Sequence, residues 1–79
     1  MKLSDNLIDY TEYDKARKMF NAVYEDKYSI QLFYNLNTIY IFFINLLKGK
    51  NYKLEAIYSK DKTSSELYKG FELLIQEFG

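Results

Sequence analysis

The stretch YSIQLFYNLNTIYIFFINLL, residues 28–47, carries no charged side chain in twenty positions and is bracketed by Lys27 and Lys48. A membrane-crossing helix needs about 20 predominantly apolar residues, so length alone permits one here. The interior argues otherwise: Ser29, Gln31, Asn35, Asn37, Thr38 and Asn45 interrupt it, and only 39–44 is unbroken apolar sequence. The amino-terminal MKLSDNLIDY is acidic and polar and shows no signal-peptide pattern. A membrane span is not expected, and the chain is read as cytoplasmic.

Periodicity decides between helix and strand. Tyr28, Ile30, Leu32, Tyr34, Leu36, Tyr40, Phe42 and Ile44 all occupy even positions, with Thr38 the one interruption. Their odd neighbours Ser29, Gln31, Phe33 and Asn35 are mostly polar, so the first half has the period of two that suits a half-buried strand. In the second half Ile39, Ile41 and Phe43 fill the odd positions as well, and a strand apolar on both sides is usually a central one. Turn-tolerant Asn in NLN at 35–37 separates the two. Gly49, set among Lys48, Lys50 and Asn51, marks a second turn, after which Tyr52, Leu54, Ala56 and Tyr58 alternate against Lys53, Glu55 and Ser59, with Ile57 the exception. The centre of the chain therefore reads as an antiparallel meander over 28–34, 38–46 and 52–58.

Helices flank it. TEYD at 11–14 fits an N-terminal capping pattern, and Tyr13, Ala16, Met19, Phe20 and Val23 follow at helical spacing, opposite Lys15, Lys18 and Asn21. TSSE at 63–66 is a fuller capping box, leading into the stripe Leu67, Phe71, Leu74, Ile75 and Phe78. Gly70 inside that stripe costs about 1 kcal/mol against Ala and is read as a close helix–sheet contact. The segment 4–10 stays ambiguous between a helical turn, a short helix and a frayed arm.

The expected fold is a small single α+β domain over 1–79: a three-stranded antiparallel β-meander flanked by an N-terminal and a C-terminal helix, in the order α-β-β-β-α. Strand 38–46 then raises a question, since it offers apolar side chains to both faces. If both helices cover one face, the other exposes either Tyr40, Phe42 and Ile44 or Ile39, Ile41 and Phe43, and an exposed apolar strip marks an interface. The alternative places one helix on each face. All six residues are candidate interface positions.

Composition excludes much chemistry. The chain has no His and no Cys, so Ser–His and Cys–His nucleophiles and the usual ligands of structural zinc, haem and iron–sulfur clusters are missing. Its three glycines are scattered at 49, 70 and 79, leaving no phosphate-binding loop. The YSK sequence at 58–60 would be a weak basis for Ser–Lys acyl transfer. Asp5, Asp9 and Glu12 would share a helical face and could hold Mg²⁺ or Ca²⁺, though an acidic face near a helix start is the commoner arrangement. No enzyme, cofactor or metal is expected.

Formal net charge is zero but uneven: 1–26 holds four basic against six acidic residues (−2), 27–62 six against two (+4), and 63–79 one against three (−2). The acidic candidates are Asp5, Asp9, Glu12, Asp14, Glu25 and Asp26, a surface that either mimics phosphate charge or keeps the domain soluble. The basic candidates are Lys48, Lys50, Tyr52, Lys53, Lys60 and Lys62, a hairpin that could touch phosphates and stack a base. With one Arg in the chain, sequence-specific base reading is disfavoured.

Nine Tyr in 79 residues exceeds the need of one small core, and Tyr is enriched at interfaces. The expected function is therefore a non-catalytic protein–protein interaction module, an adaptor or inhibitor that occupies another protein's surface, with self-association within the same class. Nucleic-acid binding through 48–62 is the alternative. Lys, Tyr, Ile and Asn, all with A/T-rich codons, total 32 of 79 residues, which points to a low-GC bacterium, its phage or its mobile element.

Overall fold

The computed structural model describes residues 9–79. Three strands form where the period of two was read: β1 (Tyr28–Asn35), β2 (Thr38–Asn45) and β3 (Lys50–Ile57). They make an antiparallel sheet in the order β1-β2-β3. Asn35 pairs with Thr38, so the first turn is the two-residue loop Leu36–Asn37, and Leu36 adopts a φ of 57°. Asn45 pairs with Lys50 across the second turn, where Gly49 takes a φ of 66° that suits a residue without Cβ. Both registers set even positions of the outer strands beside odd positions of β2: Ile30 faces Phe43, which faces Tyr52.

The sheet is preceded by α1 (Thr11–Val23) and followed by α2 (Ser64–Phe78). The capping box at the start of α2 forms: Thr63 Oγ1 accepts from the Glu66 N–H at 3.3 Å and the Glu66 carboxylate accepts from the Thr63 N–H at 3.2 Å. The box expected at 11–14 does not. The residue before α1 is Tyr10, which makes no side-chain cap, and the first-turn amide of Thr11 donates to the Asp9 carboxylate at 2.9 Å. Asp14 is drawn away by Tyr34, whose hydroxyl donates to it at 2.7 Å.

Both helices lie on one face of the sheet. Tyr13, Ala16 and Phe20 of α1 and Leu67 and Phe71 of α2 close over Ile30, Ile39 and Phe43, and these eight are the buried apolar core. The Phe20 ring stands 6.4 Å from Phe43 and 6.2 Å from Phe71, edge to face with both. Full burial of such a side chain contributes roughly 1.5–3 kcal/mol. Met19 and Val23, read as part of the α1 stripe, are exposed instead. Gly70 is a second correction: a Cβ there would meet nothing within 4 Å, so no close helix–sheet contact requires it.

Candidate functional site

With both helices on one side, the opposite face of the sheet is left uncovered. Twelve side chains point to it in four cross-strand rows: Asn35–Thr38–Ile57, Phe33–Tyr40–Glu55, Gln31–Phe42–Lys53 and Ser29–Ile44–Asn51. Phe33 and Phe42 meet edge to face across β1 and β2 with centroids 5.1 Å apart. The Lys53 ammonium lies over the Tyr40 ring, 4.8 Å from its centroid, an attraction of about 0.5–1 kcal/mol at an exposed site. Phe33 remains 60% exposed and Ile57 78% exposed, while Tyr40, Phe42 and Ile44 are half-buried only by their neighbours in the sheet. The face thus has an aromatic centre with polar side chains at three of its four corners.

The sequence-derived interface set thus divides by parity. Tyr40, Phe42 and Ile44 are on the open face. Ile39 and Phe43 are fully buried under the helices, and Ile41 lies on the same inner side, so these three leave the candidate surface. Phe33 and Ile57 join it. Phe33 was visible as the one apolar odd position in β1, and Ile57 as the exception in the β3 alternation.

The tyrosine excess has mostly another use. Eight of the nine pack in or against the core, leaving Tyr40 on the open face. Several bind the ends of the sheet to α1. Tyr10 stacks on Tyr34 at 3.6 Å and donates to the Leu36 carbonyl, Tyr58 donates to the Asp9 carbonyl, and the Tyr13 hydroxyl accepts from the Ser59 N–H. Burial, then the Asp14 carboxylate it donates to, pushes the Tyr34 phenol well above its ordinary pKa. Tyr24 donates to Glu72 at 2.6 Å, and that bond, then burial, pushes its phenol up to about 12.

The acidic candidates are not a single free surface. Asp5 lies outside the described residues. Asp9 receives both the amide and the hydroxyl of Thr11, which lowers its carboxyl pKa, the hydroxyl contributing more. Glu12 accepts from the Ser64 N–H at 2.8 Å, joining α1 to the first turn of α2, and Asp14 holds Tyr34. Glu25 and Asp26 are exposed in the turn after α1. Among the described residues no acidic group of three could hold a metal ion.

The basic candidates are not brought together either. Lys48 and Lys50 flank the β2–β3 turn, whereas Lys60 and Lys62 follow the far end of β3, eight residues and roughly 26 Å away at strand rise. Tyr52 points inward and stacks on Phe78 with centroids 4.5 Å apart, so it offers no ring to a base. Lys53 belongs to the open face.

Two depressions flank the helical side. A groove of about 230 Å³ between α2 and β3 is lined by Ile41, Ala56, Leu67, Phe71 and Leu74, with Gly70 in its wall. A polar cleft of about 420 Å³ gathers Asp9, Glu12, Tyr58, Ser59, Lys60 and Lys62. In that cleft the Glu12 carboxylate accepts from the Ser64 N–H and the Tyr58 hydroxyl donates to the Asp9 carbonyl. Among the described residues no helix is long and apolar enough to cross a membrane. Comparison with protein-family models, curated proteins and solved structures finds no match to the chain.

Proposed function

We propose that this chain is a non-catalytic, cytoplasmic protein–protein interaction module and that its working surface is the open face of the sheet. The observation that carries this reading is the uncovered strip Phe33–Tyr40–Phe42, continued by Ile44 and Ile57. A contiguous apolar strip of this kind on a small domain is poorly suited to water and well suited to a partner. Such a module acts by occupying a surface, and its small size and A/T-rich codon style fit a phage or mobile-element regulator.

The test is capture from a low-GC bacterial lysate with the wild-type chain and a Phe33→Ser/Phe42→Ser variant, each with and without nuclease. Retention of a protein by the wild type alone, indifferent to nuclease, supports the reading. Equal retention by the variant, or retention that nuclease abolishes, overturns it in favour of another surface or of nucleic acid.

A further inference from the structure

The open face is complementary to itself, and we infer that its occupant is a second copy of the same chain, packed sheet to sheet about a two-fold axis that runs across the strands. This inference rests on the interaction reading above and names the partner. The face carries one cation and one anion, Lys53 and Glu55, on the same strand and in adjacent rows. Among the described residues neither has an ion-pair partner, since the two ion pairs present are Lys15–Glu12 and Arg17–Asp14. A two-fold axis makes every contact reciprocal, so residue i meets residue j of the other copy and j meets i.

Place the axis between the two central rows, Phe33–Tyr40–Glu55 and Gln31–Phe42–Lys53, and each row falls on the other. Lys53 of one copy then meets Glu55 of the second, twice per dimer. Tyr40 meets Phe42 at the centre, and Ile44 meets Thr38 nearer the rim. An axis along the strands instead sets Lys53 against Gln31 and Glu55 against Phe33, pairing neither charge. Charge complementarity therefore selects the first arrangement. Facing sheets cross at about 30° because of their twist, a misalignment that the long Lys and Glu side chains can absorb.

Three strands of eight residues give a face of roughly 26 by 14 Å. Two such faces in contact present roughly 730 Å², below the ~1,000 Å² that stable specific interfaces clear, which is the size of a weak, transient contact. The expected complex is accordingly one that dissociates on dilution.

Sedimentation velocity over a concentration series tests this on the full chain, the single variants Lys53→Glu and Glu55→Lys, the double exchange, and an equimolar mixture of the two singles. The wild type should shift from monomer to dimer across the micromolar range. Each single variant sets like charges against each other and should weaken the dimer roughly tenfold or more. The double exchange and the mixture both recreate opposite-sign pairs and should restore it. Restoration by mixing also excludes misfolding as the cause, since an unfolded variant could not be rescued that way. A wild type that stays monomeric at millimolar concentration overturns the inference. So does a dimer indifferent to both single variants. Either result leaves the lysate test above standing, because a different partner could still be lost on changing Phe33 and Phe42.

Discussion

Asn21 holds both backbone groups of Ile30: its Oδ1 accepts from the Ile30 N–H at 2.7 Å and its Nδ2 donates to the Ile30 carbonyl at 3.0 Å. Ile30 belongs to β1, an edge strand, and its unpaired groups would otherwise face away from β2. The side-chain amide of α1 thus does for one residue what a neighbouring strand would do. It fixes the angle at which α1 crosses the sheet and blunts an edge open to another chain.

Replacing Asn21 with Ala removes both bonds and leaves two partly buried backbone groups without partners. The expected loss is about 1–3 kcal/mol, read as a lower urea midpoint at unchanged slope. Asn21→Asp keeps the acceptor, loses the donor and sets a carboxylate beside the Ile30 carbonyl, so its loss should be comparable. An Ala variant within about 0.5 kcal/mol of wild type would show that water replaces the amide at no penalty.

Gly70 offers a gain. It is inside α2, and a methyl group there meets nothing within 4 Å. Gly70→Ala should stabilise the domain by about 1 kcal/mol through helix propensity and a less flexible unfolded chain. For a domain of this size that corresponds to a rise of about 4–8 °C in Tm. A fall in Tm would instead mean that α2 closes on the groove beside it.

Leu36 is the converse. Its φ of 57° is unfavourable for a residue bearing a Cβ, and its side chain is 84% exposed, so little packing offsets the strain. Leu36→Gly relieves about 1–2 kcal/mol of strain and returns part of it as unfolded-chain entropy. The net expectation is a gain of about 0.5 kcal/mol, or about 2–4 °C in thermal unfolding. The hydrogen bond from Tyr10 to the Leu36 carbonyl is independent of that side chain and should persist.

The fold was legible because its signals are local. A period of two, a glycine turn and the box at 63–66 each act over a few residues. Which row of β2 faces the helices was not, because it depends on the parity of the first turn. Read as the three residues NLN, that turn would pair 34 with 38 and set even positions of β2 beside even positions of β1; closed by Leu36 and Asn37 alone, it places odd positions of β2 there instead. The same parity argument was available for Tyr52, which shares its alternation with Leu54 and Ala56 and opposes Lys53, so the two could not form one contact surface. Asn21 and Asp14 looked like solvent-facing polar residues. Their partners, Ile30 and Tyr34, are 9 and 20 positions away, and only tertiary packing brings them close.

Alkaline pH should unfold the domain through its hydrogen-bonded tyrosines. Tyr24 donates to Glu72 and Tyr34 to Asp14, and an ionised phenol cannot donate. Both phenols have pKa values raised in the folded state, Tyr24 to about 12 and Tyr34 further, against about 10 when unfolded. The unfolded chain therefore releases these protons first. The stabilisation is complete below pH 10 and is lost progressively as the pH rises toward the folded values. Stability measured by urea unfolding should be insensitive to these groups at neutral pH and should fall steadily above pH 10. Tyrosinate absorbance should show a late-titrating fraction that becomes normal once the chain unfolds. In Tyr24→Phe and Tyr34→Phe one late phenol should disappear in each case, and the alkaline fall in stability should become shallower. If all nine tyrosines of the folded wild type ionise together near pH 10, these hydrogen bonds do not hold α1 to α2 and to β1 in solution.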